Sequence, residues 1–285
     1  MPVRNAGNLL PGCLEPIQRQ LAQGDSLVVV DDASSDDTVV IAERLGAQVI
    51  RRTVTGGPYA ARNDGWRASV QPYTVFTDVR CVVRPGWLAR LRQAAADGGD
   101  LIFSDVVVRG GSRLAERVAE RRQHLLTRHY AATPYFLPYF PTANLAVRRE
   151  ALEEVGGFRI MPSGGDADLC WRVQLAGFDS VCAIDEPLME WRPRTTIRAL
   201  LEQWAKYGRS GARLRLAYAD RGAPVEPPLS PPHAVARHAR RIGRRLRDGR
   251  ESPEVTVVDG LVDLVEDLAY GQAVRRLRRE KCGER

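Results

Sequence analysis

The sequence is poor in the residues that staple a small protein or hold a structural metal. Its five cysteines, at positions 13, 81, 170, 182 and 282, are odd in number, widely spaced, and none belongs to a C-x-x-C pair. That pattern supports neither a zinc site nor a disulfide framework and reads as reduced thiols in a cytoplasmic protein. No stretch approaches the roughly 18 apolar residues a membrane span requires, and the N-terminus lacks a charged-then-apolar leader pattern. There is no internal repeat, and no Gly-rich signature loop of the nucleotidyltransferase kind near the N-terminus.

What is present is enough hydrophobic material, 44% of 285 residues, for one or two domains with a real core. Forty-two basic against 35 acidic side chains leave a net charge of +7. The excess favours anionic partners, whether nucleotides, phosphorylated substrates, acidic membrane surfaces or nucleic acid, and does not choose among them.

The first hundred residues alternate strand and helix patterns. Leu27–Val30 reads as a buried strand ending in Asp31-Asp32, followed by a polar turn and a helix from Thr38 to Leu45 closed by Gly46. A strand at residues 48–50, a Gly-rich turn at 55–58 and a helix through residues 60–69 come next. Tyr73 to Phe76 is a strand delivering Asp78, Leu88 to Ala96 a helix, and Leu101 to Phe103 a strand ending near Ser104-Asp105. This alternation predicts an α/β domain with a largely parallel sheet. Ligands bind such sheets at the carboxyl ends of the strands, where Asp31, Asp32 and Asp78 all fall.

After residue 110 the pattern changes. Arg109 to Arg128 is basic and reads as helical; the aromatic, Pro-punctuated stretch at 133–147 reads as a loop that lines a pocket or packs on the sheet. Glu150 to Val155 is a short helix, and "SGGDADLCWRVQLAGF" is a Gly-rich turn entering a helix that ends at Gly177. Asp166, at that helix start, is either functional or a cap. The expected organisation is a domain over residues 1–221, a Pro-rich linker over 222–232 and a basic amphipathic helical extension over 233–285. The extension reads as a hairpin packed on the domain, or as a surface, centred on 233–250, that meets the inner face of a membrane peripherally. Its arginines lack interleaved aromatics and any binding signature, which argues against nucleic acid.

Six segments in order, "MPVRNAGNLLPGCL", "LVVVDDASSDDT", "GGPYAARNDGW", "FTDVRCVVRPGWL", "FPTANLAVRREALEEVGGF" and "GGDADLCWRVQLAGF", resemble glycosyltransferase family 2 over residues 1 to about 215. The resemblance implies a GT-A (Rossmann-like) fold and an inverting glycosyltransferase using a nucleotide-sugar donor. It implies Pro2, Arg4 and Asn5 in the first nucleotide-binding loop, and Asp31 and Asp32 as the acidic pair hydrogen-bonding base and ribose. It places Arg62 and Asn63 along the nucleotide-sugar pocket, Asp78 as the first Asp of the D-x-D motif and Asp166 as the catalytic base. Asn144, Asp168, Trp171 and Arg172 fall on the acceptor side. The acceptor itself is not legible.

The sequence departs from the family's pattern in several places. The last D-x-D position, the usual metal ligand, is Arg80, and the histidine of a later H-R-P-R context is Trp191 in Glu190-Trp191-Arg192-Pro193-Arg194. The residue before the catalytic Asp, usually Glu, is Gly165. Two lost ligands leave Asp78 to hold magnesium or manganese weakly. The expectation is that Arg80, with Arg192, Arg194 or Lys206, meets the diphosphate charge instead. The open alternatives are a metal held by Asp78 with the diphosphate, and an inactive GT-A module that binds nucleotide-sugar or a partner protein. The family's first strand is present only at its end, so either the natural chain starts earlier or the fold tolerates a shortened strand.

Overall fold

The computed structural model of the chain describes residues 1–131 and 136–283, the last three as backbone only. Thr133, Pro134 and Tyr135 of the aromatic loop and the side chain of Cys282 lie outside the described residues.

A first sheet of three parallel strands runs β1 (Pro2–Val3), β2 (Val28–Asp32), β3 (Gln48–Arg52). Helices α1 (Leu10–Gln18) and α2 (Thr38–Arg44) pack on it around buried Leu10, Leu14, Val29 and Ala42. α1 escapes the sequence reading because Pro11, Gly12 and Pro16 dilute its helical pattern, although proline in a first helical turn is well tolerated. β1 has only two residues. The Met1 ammonium donates to the Val28 carbonyl at 2.8 Å, and burial pushes its pKa down to about 5. Beside it an apolar cavity of about 500 Å3, lined by Leu27, Tyr73, Phe76 and Leu91 among others, lies between β2 and the next strand of the chain.

That strand, β4 (Tyr73–Thr77), opens a second sheet. β5 (Cys81–Val83), β6 (Leu101–Val108), β7 (Asn144–Arg148) and β8 (Val181–Trp191) complete it in the order β4-β7-β6-β8-β5. Only β6 and β8 pair in parallel here; β4–β7, β6–β7 and β5–β8 are antiparallel. The α/β class holds, but the largely parallel sheet expected from strand–helix alternation is corrected to a parallel sheet beside a mixed one. β7 and β8 carry polar residues and Pro187, which hide them from a pattern search. β6 does not stop at Asp105: an irregularity at Ser104–Asp105 shifts the register and the strand continues to Val108. The segment read as a helix from Arg109 is accordingly confined to α5 (Leu114–Arg122), which Gln123 ends in a left-handed conformation.

Helices α3 (Gly57–Arg67), α4 (Trp87–Ala96), α6 (Arg149–Val155) and α7 (Gly165–Leu175) follow expectation to within a few residues. α8 (Ile197–Ala217) carries α10 (Pro253–Gly283) along its length, and α9 (Pro231–Asp248) folds back on α10. Val255, Val258 and Val262 of α10 belong to the same core as Cys81, Ile102 and Trp204. Asp259, buried, accepts from Arg121, Arg122 and Arg245 at 2.6, 2.6 and 2.7 Å. The Pro-rich segment lies along α10, with the Glu226 and Leu229 carbonyls accepting from Tyr270 and Arg275. The packed-hairpin reading is therefore what the fold displays. Among the described residues no helix is long and apolar enough to cross a membrane, and Cys13, Cys81, Cys170 and Cys182 are free thiols.

Candidate active site

The site lies at the carboxyl ends of β2 and β4. β4 ends in a tight turn in which the Asp78 carbonyl accepts from Cys81 N at 2.9 Å, so the Asp78 side chain projects at the sheet edge. Its Oδ1 accepts from Arg62 Nη2 at 2.6 Å. Arg62 is only 5% exposed and its guanidinium lies over the Tyr59 and Phe158 rings, 5.5 and 5.9 Å from their centroids. A buried cation must be paired, and here the partner is Asp78. The pair holds Arg62 beside Asp78 and occupies the carboxylate that a metal would need.

Arg80 is two residues further on. The backbone N–H of Arg192 donates to the Arg80 carbonyl at 2.9 Å, and Arg80 Nη1 donates to the Pro193 carbonyl at 3.3 Å. These bonds bind the 192–194 segment to the turn and bring Arg80 and Arg194 together. Partial burial, and then the nearby Arg194 charge, lower the Arg80 pKa, while Asp78 raises it. Arg194, like Arg80, has no carboxylate partner among the described residues. Arg192 lies instead across α1 beside Gly12. Trp191 turns inward, buried and edge-on to His124 at 5.5 Å, so the position that often carries a metal-binding histidine is filled by a core side chain.

These residues do not fit a firmly held divalent ion. Hard cations need several oxygen ligands, and the crevice offers one carboxylate already paired with arginine, with a second arginine beside it. Among the described residues no group of three or more His, Cys, Asp or Glu side chains is disposed to hold a metal.

Asp166 sits in the first turn of α7. It is not the cap: that position is Gly164, at φ +83°, a left-handed conformation glycine adopts without cost. Among the described residues the Asp166 Oδ1 accepts only from Ala167 N, at 3.2 Å, and no cation forms an ion pair with it. Burial raises its pKa; Arg62 opposes the rise and Asp78 adds to it. Gly165 is required by its neighbour: a side-chain carbon there would lie 2.8 Å from the Tyr59 ring, whose hydroxyl accepts from Gly165 N at 2.9 Å. Tyr59 thus occupies the space the family's usual Glu would fill. It was missed in the sequence, where the only signal was the paired departure at Gly165.

At the other end, Asp31 and Asp32 part company. Asp32 accepts from Thr55 Oγ1, Gly56 N and Gly57 N at 2.7, 2.8 and 2.9 Å, and pairs with Arg52 Nε at 3.0 Å. Burial pushes its pKa up, but these donors outweigh it and the carboxyl titrates below its ordinary value. It clamps the Gly-rich turn. Asp31 accepts from Ser34 N at 3.2 Å through Oδ2, while its Oδ1 is buried with no hydrogen-bond partner. Buried carboxylate oxygens are rarely left unpaired, so Oδ1 is poised for a donor from outside the chain. Asn5 and Ala33 are both at positive φ (47° and 61°), and Asn5 cross-links the two loops, its N donating to Ser34 Oγ at 2.9 Å and its Oδ1 accepting from Ser35 N at 2.8 Å. Such conformations are strained in non-glycine residues and cluster where function needs them. Pro2 leads into this loop in β1, and Arg4 reaches Thr55 Oγ1 at 3.3 Å beside the Gly-rich turn.

The remaining expected residues serve the frame. Asn63 is buried and ties Phe158 N and O to α3 at 2.9 and 2.8 Å. Asn144 accepts from Trp87 Nε1 at 2.8 Å and donates to Ser104 Oγ at 2.6 Å. Asp168 accepts from Arg172 Nε and Tyr218 Oη, each at 2.8 Å. Trp171 Nε1 donates to the Leu137 carbonyl at 2.8 Å, within an aromatic cluster that includes Phe136, Tyr139 and Tyr218. Of the stretch read as an aromatic loop, Phe136, Leu137 and Tyr139 pack on Trp171 of α7, whereas residues 144–147 are corrected to strand β7, held between β4 and β6.

Residues 1–156 match the family model described as glycosyl transferase family 2. The pre-mycofactocin glycosyltransferase of Mycobacterium tuberculosis is 30% identical over 240 residues, covering 79% of this chain and 48% of that protein, so the chain spans about half the length of this relative. The glycosyltransferase AglE of Haloferax volcanii is 28% identical over 65% of this chain and 63% of its own. Among solved structures, the mannosyltransferase of Pyrobaculum calidifontis in complex with GDP-Man and Mn2+ covers 99% of this chain and 73% of its own at 19% identity and a TM-score of 0.55. Glucosyl-3-phosphoglycerate synthase of M. tuberculosis, in complex with Mn2+, UDP-glucose and phosphoglyceric acid, covers 79% of both chains at 22% identity and a TM-score of 0.55. The fold is that of the GT-A glycosyltransferases, and the chain belongs to glycosyl transferase family 2.

Proposed function

We propose that the protein transfers a sugar from a nucleotide-sugar donor to an acceptor by a single displacement with inversion. The observation that carries this reading is the unpaired, half-buried Asp166 carboxylate standing in the same crevice as the Arg62–Asp78 pair. As the acceptor nucleophile bonds to the anomeric carbon, the bond from that carbon to the diphosphate oxygen breaks. The nucleophile's proton passes to Asp166. A desolvated carboxylate is a better proton acceptor than an exposed one, since burial raises its basicity toward neutral pH. An intact base position also speaks against the inactive-module alternative.

The diphosphate gathers charge as it leaves, and Arg80 with Arg194 meets it. A guanidinium is permanently charged and offers fixed parallel donors to phosphate oxygens. Asp31 Oδ1, with its free lone pairs, accepts from the nucleoside, and loop 4–5 with the Gly56–Gly57 turn shapes the cradle. The test is a screen of nucleotide-sugars for hydrolysis and binding, each run with manganese and with chelator. Turnover surviving in chelator is the expected result; turnover only with manganese would remove Arg80 from its role.

A second surface is favoured by α9, where Arg240, Arg244 and Arg247 are exposed on one face and Val235 and Leu246, 49% and 39% exposed, on a separate stripe of the helix. Basic residues mixed with apolar ones suit peripheral contact with an anionic membrane face. Co-sedimentation with anionic but not neutral vesicles, lost on charge reversal of these arginines, would establish it.

A further inference from the structure

The crevice holds more positive charge than a diphosphate accounts for. Lys206, Arg209 and Arg213 are exposed and, at i, i+3 and i+7, share one flank of α8. Next to that flank, Ser210 and Leu214 press on the loop that carries the base: a side-chain carbon at Gly164 would lie 3.4 Å from Ser210 Cβ and 2.7 Å from Leu214 Cδ1. The three cations therefore stand where α8 meets the start of α7, two residues from Asp166. None forms an ion pair among the described residues, whereas Glu202, one turn earlier, pairs with Arg198 at 2.8 Å.

Lys206 adjoins the cations assigned to the diphosphate through Arg194, but it reaches Asp166 where Arg80 reaches Asp78. Arg80 faces Arg194 and Asp78. Lys206 faces Arg194, Arg209 and Asp166, and partial desolvation together with those two arginines lowers its pKa. Lys206 and Asp166 feel each other's charge, and a nearby cation favours the carboxylate over the acid. An arriving anion removes both penalties at once.

We propose that Lys206, Arg209 and Arg213 form an acceptor subsite, and that the acceptor carries a phosphate or carboxylate close to its nucleophile. The inference rests on the glycosyl-transfer reading of the crevice. Binding of the acceptor anion neutralises the flank and lets Asp166 act at its full basicity, so the base is strongest when the nucleophile is in place.

The test uses the full chain and separates the two readings. UDP and GDP are titrated first, by calorimetry; if neither binds the wild type, the glycosyl-transfer reading fails and this inference with it. With the binding nucleotide saturating, glycerol phosphate, glycerate and glycerol are titrated against the wild type and against Arg209→Gln/Arg213→Gln. The expected result is binding of glycerol phosphate or glycerate, but not glycerol, weakened about tenfold or more by the double substitution, as loss of charge-assisted hydrogen bonds predicts. Whichever of the two anions binds more tightly identifies the group. Two outcomes would overturn the proposal while leaving the first reading intact: no binding of either anion to the nucleotide complex, or equal binding by wild type and variant. Weakened nucleotide binding in the variant, with anion binding unchanged, would also overturn it, by assigning the flank to the donor. Thermal melting of the variant, whose substituted side chains are exposed, confirms that it folds.

Discussion

Arg62 and Asp78 meet at 2.6 Å on the floor of the crevice, and the contact decides what each can do. Arg62, nearly fully buried, needs the carboxylate; Asp78, so paired, is a poor ligand for a divalent ion. The site is therefore organised around arginine where a D-x-D pair would be organised around metal.

Arg80→Asp supplies the second carboxylate that this sequence lacks. Chelator-insensitive turnover should drop on the order of 10²-fold, the scale of losing a preorganised donor to a developing oxyanion, and a manganese requirement should appear. Arg80→Ala should lower kcat far more than nucleotide affinity. Both are read from kcat and nucleotide Kd with and without manganese, and unchanged kcat in Arg80→Ala would refute the role.

Removing the base has a different signature. Asp166→Asn should cost about 10²- to 10⁴-fold in kcat while leaving nucleotide affinity and Tm close to wild type, since no side chain among the described residues depends on this carboxylate. In the wild type Asp166 must be deprotonated to act, and its pKa is raised by burial. Activity should accordingly be full above that pKa and fall as pH drops through it, with the acid limb of kcat lying above the ordinary carboxylate range.

Asp31 and Asp32 offer a contrast between binding and stability. Asp31→Asn should weaken nucleotide binding by roughly 10- to 100-fold, the worth of a hydrogen bond to a charged group, with little change in Tm. Asp32→Asn removes an acceptor from Gly56, Gly57, Thr55 and Arg52 and should lower Tm by several degrees. Calorimetric titration and thermal melting distinguish them, and equal effects on both quantities would contradict the division of labour.

The C-terminal helices are fastened by charge. Asp259→Asn leaves Arg121, Arg122 and Arg245 without their shared acceptor and should cost about 3–5 kcal/mol. Glu266, half-buried in the same seam, has its pKa raised to about 7, chiefly by desolvation. A raised acid pKa contributes stability below the unfolded value of 4.5, and that contribution is lost as pH rises through about 7. Glu266→Gln should raise Tm at pH 8 and change little at pH 4. A uniform effect across pH would disprove the assignment.

Much of the nucleotide half was legible because its signals are local. A β-branched run ending in two aspartates, a Gly-rich turn and a Gly-Gly-Asp helix start each encode a short conformation, and each appears in the fold near its expected residue. β8, α8 and the extension of β6 past Asp105 were not, because polar residues, a proline and a register shift mask their periodicity until neighbouring strands and helices supply the other half of the pattern. Tyr59 was invisible for the same reason: its partner Gly165 is 106 residues away in sequence.

The residue types at the site, an arginine at position 80, a tryptophan at 191 and an aspartate at 166, were determined by the sequence alone, and with them the chemistry on offer. Which of those groups is available was decided only by tertiary structure. Two adjacent aspartates of equal chemistry became a clamp and an acceptor with a free oxygen, because strand alternation points their side chains to opposite faces and only one face meets the Gly56–Gly57 turn. Asp78 and Asp166 likewise differ through their neighbours, one held by a buried guanidinium and the other left unpaired, because availability depends on what packs against a charge and no local pattern records that.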